Sequence, residues 1–135
     1  MILDEATSGL DPVVRDDILD MLLDFVQDKE HSILVSSHIT SDLEKIADDI
    51  VFIHEGKVVF EKPKEELTER YGIIKCGGAQ FDALDQSEAI AYRKTGHEWQ
   101  VLVSDREKMQ KKYPNALVLP ATIDEIMLLY VKGEQ

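Results

Sequence analysis

The sequence predicts an α/β chain, with a short parallel layer at its start and a smaller α+β extension from about residue 73. Three observations predict it. Met1-Ile2-Leu3 is an apolar run that stops at two carboxylates, Asp4 and Glu5. A helical pattern opens at Asp11-Pro12, and a second apolar run, Ile33-Leu34-Val35, stops at Ser36-Ser37-His38. Short apolar runs separated by an amphipathic helix read as parallel strands joined by a crossover.

Met1–Leu3 fits a buried strand, and a carboxylate at its end lies at the carboxyl edge of the sheet, where open α/β folds bind ligands. Asp11 suits a helix N-cap and Pro12 the first helical position. The helix from Pro12 to about Glu30 puts Val14, Ile18, Leu22, Phe25 and Val26 on one stripe. Asp16, Asp20 and Asp24 line another face, which reads as solvated. Ser32 to Val35 is the next strand, and Ser41-Asp42-Leu43-Glu44 has the form of a capping box for a short helix through Ala47. Asp49–His54 and Lys57–Glu61 read as two strands joined by a tight turn at Glu55-Gly56. Pro63 opens a helix to about Tyr71, which Gly72 ends.

From Ile73 the pattern changes. Ile73–Cys76 and Trp99–Val103 read as strands, and Gly77–Lys94 is undetermined. Ile90–Lys94 either pairs with Trp99–Val103 across Thr95-Gly96 or belongs to a helix from Ser87. A second capping box, Ser104 to Glu107, opens a helix to about Tyr113, and Ala116–Leu119 is a short strand. A third box, Thr122 to Glu125, opens a last helix with Ile126, Met127, Tyr130 and Val131 on one side. Trp99 and Tyr92 read as core or hairpin-face residues rather than a ligand platform.

Composition narrows the function classes. The 135 residues suffice for one domain or two small ones, and the apolar share of 44% is ordinary for a globular protein. No apolar run approaches the ~20 residues of a membrane span. A net charge of −12 with no basic stripe disfavours nucleic acid and anionic lipid. Cys76 is the one cysteine, so no internal disulfide forms, as in a reducing cytoplasm. The four histidines lack metal-ligand spacing.

The residues around Asp4 suit phosphoryl transfer, which needs a magnesium ion, a positioned water and fixed charges. Asp4 is placed to hold Mg²⁺ through water as a hard oxygen ligand, and Glu5 to polarise an attacking water. His38 can contact a phosphate through its imidazole. Taken together, Leu3-Asp4-Glu5-Ala6-Thr7-Ser8-Gly9-Leu10-Asp11-Pro12, a helix, and a strand ending in Ser36-Ser37-His38 resemble the ATP-binding subunit of ABC transporters. About the first 61 residues carry the resemblance. It implies that Asp4-Glu5 is the Walker B pair with Glu5 as catalytic base. It implies that Ser8, Gly9 and Asp11 belong to the D-loop, which crosses the dimer interface and couples two ATP sites, and that His38 senses the γ-phosphate. Ala6 stands where the family most often has Pro. The family hairpin matches Asp49–Glu61, and Ile123 to Gly133 resembles the ends of ABC-2-type exporter ATPases.

The resemblance covers a carboxy-terminal part of such a subunit, expected to divide into residues 1–72 of the ATPase domain and an accessory 73–135. The phosphate loop G-x-x-x-x-G-K-S/T is not found; Gly72 to Gly77 has its glycine spacing but is followed by Gly78 and Ala79. The signature segment of the LSGGQ type is not found either. The chain alone is therefore expected neither to bind ATP tightly nor to hydrolyse it. In the family, the strand leading into the phosphate loop is implied to lie between the Ile33–Val35 and Ile50–Ile53 strands. Its absence leaves open edges, so rearranged pairing, strand exchange between chains or a loosely ordered first half is expected.

The resemblance thus implies the ATP- and Mg²⁺-using subunit of a bacterial exporter, a homodimer on the cytoplasmic face of the membrane beside a membrane-spanning permease. A non-catalytic module that binds a partner subunit through its acidic surface is the alternative from another class. DNA-repair and translation ABC ATPases are disfavoured because their inserts are not seen.

Overall fold

The computed structural model describes all 135 residues, arranged as a mixed α/β chain with three small sheets. It divides into two compact units, Met1–Asp48 and Asp49–Gln135. This division follows packing, whereas the expected one after residue 72 follows motif content; the hairpin after Asp48 goes with the second unit.

In the first unit, β1 (Ile2–Asp4), α1 (Pro12–Phe25), β2 (Leu34–Ser36) and α2 (Thr40–Ile46) follow in order. β1 and β2 are parallel, with Ile2 opposite Leu34, Leu3 opposite Val35 and Asp4 opposite Ser36. Asp11 caps α1 and Pro12 follows it, as expected. The helix ends at Phe25, a turn short of Glu30. Asp28 takes the Glu30 amide on its side chain at 2.9 Å and the His31 amide on its carbonyl at 2.9 Å. The His31 ring stacks on Phe25 with centroids 4.2 Å apart. Local side-chain bonds of this kind compete with helix continuation.

α2 starts at Thr40 and has no side-chain cap, which corrects the expected capping box from Ser41. Asp42 is turned inward instead and is only 3% exposed. The row of aspartates on α1 is exposed, as expected, and Lys45 of α2 bridges Asp16 at 2.5 Å and Asp20 at 2.9 Å. Those two carboxylates, Asp16 foremost, raise the Lys45 pKa.

The second unit opens with the antiparallel hairpin β3 (Asp49–His54) and β4 (Lys57–Pro63). Glu55 and Gly56 turn it with φ of +50° and +76°, the backbone a two-residue hairpin requires. Pro63 is the last residue of β4, paired with Asp49, and the expected helical stretch begins directly after it, over residues 64–70. Edge strands tolerate proline because no ladder donor is lost on the open side. A π-helical segment, Glu66–Arg70, follows.

Gly72 starts β5 (Gly72–Cys76) rather than ending a helix. A Cβ there would lie 2.5 Å from the Arg106 Cβ, so close packing requires the glycine. The undetermined stretch forms α3 (Gly78–Ala83), a 3₁₀ turn at Gln86–Glu88 and β6 (Ala89–Thr95). Of the two readings there, the hairpin holds: β6 pairs with β7 (Glu98–Val103). α4 (Arg106–Lys112), β8 (Leu117–Pro120) and α5 (Ile123–Lys132) complete the chain. The four strands lie in the order β6-β7-β5-β8, every pair antiparallel.

Asp105, one residue later than expected, caps α4 by accepting the Lys108 amide at 3.1 Å. The Thr122–Glu125 box is reciprocal as expected, at 3.2 and 3.1 Å. On α5 the buried stripe is Ile123, Ile126 and Leu129, and Val131 is 39% exposed, which corrects the expected face. Both faces of β5 are covered, since Ile73 and Ile74 are each buried. Phe81 stacks on Trp99 with centroids 4.0 Å apart, and Tyr92 and Trp99 pack against the core cluster around Ile74 and Val101. No helix is long and apolar enough to cross a membrane.

Candidate functional site

Pairing of β1 with β2 brings the two motif ends together, although Asp4 and Ser36 stand 32 residues apart in the chain. The Ser36 hydroxyl donates to the Asp4 carboxylate across the pair. One residue on, the Glu5 amide donates to the Ser36 carbonyl at 2.9 Å, which closes the layer at its carboxyl edge.

Glu5 then leaves the strand with φ of +52°, a left-handed conformation that a side chain other than glycine adopts at a cost of roughly 1–2 kcal/mol. Strain of that kind is retained where the surroundings over-determine it. Here the Ser8 amide also returns to the Glu5 carbonyl at 3.1 Å, so Glu5 heads a tight turn. The turn sends its carboxylate to His38, with Nδ1 2.8 Å from Glu5 Oε2. An ionised carboxylate only accepts, so Nδ1–H is the donor in this pair. The pair is open to solvent, His38 being 71% and Glu5 39% exposed.

Gly9 has φ of +78°, and nothing lies within 4 Å of where a Cβ would stand. Its freedom is used for backbone direction, not for close approach. Asp11 is engaged in the fold: its Oδ1 accepts from the Val13 and Val14 amides, each at 3.0 Å. Glu5 thus meets His38 and Asp4 meets Ser36, whereas Ser8 and Gly9 lie on the loop between β1 and α1 and Asp11 caps the helix.

Ser36 joins the candidate site through its place opposite Asp4. Its signal was the Ser36-Ser37 pair before His38, and its role needs the strand register to be seen. Thr7, Arg15 and Asp42 also carry a contact that spacing does not reveal. The Thr7 hydroxyl donates to Asp42 at 2.6 Å, and Arg15 meets the same carboxylate at 3.2 Å.

No cluster of three or more His, Cys, Asp or Glu side chains forms an all-protein metal cage. Mg²⁺ does not require one, since it keeps several waters and takes one or two carboxylates plus phosphate oxygens. Asp4, an exposed carboxylate at a strand end with one oxygen bound to Ser36, fits as such a partial ligand.

No protein-family model matches the chain. YtrB, an ABC transporter ATP-binding protein of Bacillus subtilis, is 26% identical over 146 residues, covering all of this chain and 49% of that protein. The bacitracin transport ATP-binding protein BcrA of Bacillus licheniformis is 33% identical over 90 residues, 67% of this chain and 28% of that protein. The lantibiotic transport ATP-binding protein SrtF of Streptococcus pyogenes is 44% identical over 62 residues, 46% of this chain and 27% of that protein. The chain therefore spans half or less of the length of these relatives. Shared sequence with transport ATP-binding proteins, together with an Asp-Glu strand end facing a histidine, leads to one conclusion: the chain belongs to the ABC transporter ATP-binding proteins.

Proposed function

We propose that the chain supplies the water-activating and metal-facing side of an ATPase site that powers transport across a membrane. The observation that carries this reading is the Glu5–His38 contact at 2.8 Å beside the Ser36–Asp4 contact. In the proposed role Glu5 polarises the attacking water and takes its proton as the water oxygen bonds to the γ-phosphorus and the bond to the β,γ-bridging oxygen breaks. His38 holds the Glu5 carboxylate through Nδ1–H and faces the γ-phosphate with its other nitrogen. Asp4 would hold Mg²⁺ through water, and the ion would neutralise charge on the phosphates.

Ser8, Gly9 and Asp11 are the part of this site proposed to meet a second ATPase subunit. The layout around them is that of a partial P-loop NTPase sheet without its phosphate-loop strand, with an accessory unit after residue 72. Transport by relatives named for bacitracin and lantibiotics favours export through a membrane-spanning permease at the cytoplasmic face. The cradle for the β- and γ-phosphates is not among these residues, so the chain alone is proposed to be inactive. Open strand edges make strand-exchanged pairs of the chain part of the same proposal.

The test is a chimera in which residues 1–135 replace the matching segment of YtrB. Mg²⁺-dependent ATP hydrolysis is expected, falling by roughly 10²-fold or more on Glu5→Gln. The isolated chain should show no rate above background. A chimera that keeps its rate with Gln at position 5 overturns the proposal.

A further inference from the structure

Two polar side chains of this chain are buried, Thr7 at 6% and Asp42 at 3% exposure, and they are bonded to each other. The Thr7 hydroxyl donates to Asp42 Oδ2 at 2.6 Å, and Arg15 Nε meets Asp42 Oδ1 at 3.2 Å. Both carboxylate oxygens are thereby used, as a buried charge requires. The three residues come from three places: the turn after Glu5, helix α1, and helix α2 after His38.

The position of this node matters more than its burial. Thr7 lies two residues beyond Glu5, and the Ser8 amide ties the intervening turn back to the Glu5 carbonyl at 3.1 Å. Asp42 lies four residues beyond His38; its amide returns to the Ile39 carbonyl at 3.1 Å, and the Ile39 amide to Ser37 Oγ at 2.9 Å. Strand pairing fixes Asp4 against Ser36, and the Glu5 amide adds one bond to the Ser36 carbonyl at 2.9 Å, but His38 lies two residues beyond that bond. Their side chains are exposed, so little packing around them sets their distance. Beyond that backbone bond, the Thr7–Asp42 hydrogen bond links the two turns.

We infer that Asp42 is a positioning residue that holds the Glu5 turn and the His38 turn in one register, through Thr7 on one side and its own helix on the other. Its role in catalysis rests on the reading of Glu5 and His38 given above; its role in geometry does not. Any change that draws Thr7 away from Asp42 then loosens the Glu5–His38 contact, so the turn after Glu5 and the histidine respond together.

The test follows the ring resonances of His38 in the whole chain by NMR, without nucleotide. Glu5→Gln should displace them in the parent chain. On an Asp42→Asn background, and separately on Thr7→Val, the same change should displace them by about threefold less or lower still, the coupling a double-mutant cycle reads. Thr7→Ser, which keeps the hydroxyl, should restore the full displacement. Thr7→Val leaves the Asp42–Arg15 pair in place and decides the matter if Asp42→Asn unfolds. Equal displacement on the parent and Thr7→Val backgrounds, or none in the parent, overturns the inference. Loss of ATPase activity in the chimera with the coupling intact would count against the proposed function alone.

Discussion

Replacing Asp11 by alanine and, separately, by asparagine separates a helix cap from a residue needed for catalysis. Asp11 Oδ1 accepts two of the amides that α1 leaves unpaired at its start, Val13 and Val14, each at 3.0 Å. Alanine removes both bonds and should cost roughly 1 kcal/mol of helix stability. That corresponds to about a fivefold rise in local opening. Asparagine caps about as well as aspartate, and the lost charge at the helix start costs only a few tenths of a kcal/mol more. Amide hydrogen exchange in the first turns of α1 reads the difference directly. Alanine should raise the rates about fivefold and asparagine less than twofold. In the chimera, a cap role alone predicts near-parent ATPase activity for asparagine. Equal acceleration of exchange by both substitutions refutes the cap reasoning; a lost rate with asparagine and normal exchange shows a separate role for the charge.

Three further outcomes follow from the second unit. Gly72→Ala should lower the melting temperature of residues 49–135 and cost about 1–3 kcal/mol, because its Cβ would meet the Arg106 Cβ at 2.5 Å and the Leu119 carbonyl at 3.0 Å; unchanged calorimetry would refute the close approach. Ile126→Ala, at a site with 0% exposure, should cost about 2–5 kcal/mol by denaturant unfolding, against under about 1 kcal/mol for the exposed Val131→Ala. Burial first, then the hydrogen bond with Tyr71, pushes the Tyr130 hydroxyl from 10.0 up to about 12. The folded state thus holds that proton longer than the unfolded chain, so its stabilisation is complete below pH 10.0 and is lost as pH rises towards about 12. At most about 3 kcal/mol disappears across that window, and denaturant midpoints of Tyr130→Phe should fall less steeply there than those of the parent.

The Glu5–His38 contact was legible because each residue follows an apolar run, and two parallel strands bring their carboxyl ends to one edge. The Thr122 cap was legible for a similar reason, since both partners lie within one turn. Asp42 was misread because capping-box spacing is equally satisfied by a residue that turns inward, and only Thr7, 35 positions away, distinguishes the cases. Gly72 was misread as a helix stop because its reason is Arg106, a neighbour far along the chain. Pro63 was legible as the boundary before helical residues 64–70 but not as the last residue of β4, because proline suits both places. The errors share a cause: each residue type fits two local roles, and a distant contact selects between them.

What holds the candidate site together differs from what holds the rest of the chain. Among the buried apolar residues only Leu19 belongs to Met1–Asp48, whereas Ile73, Ile74, Leu102, Ile123 and Ile126 all lie in Asp49–Gln135. Ile2 and Leu34, opposite each other in the β1–β2 pair, are 80% and 67% exposed. The site therefore depends on one strand pair, one capped helix and the Thr7–Asp42–Arg15 node, with little hydrophobic burial beneath them. Segments with few buried apolar contacts open at low free energy, and elements that move with ligands come from that end of the range. Limited proteolysis should cut within residues 1–48 first and leave a resistant product containing β5 to α5. A resistant product from the first unit, with the second digested, would show that polar links alone make it the sturdier half.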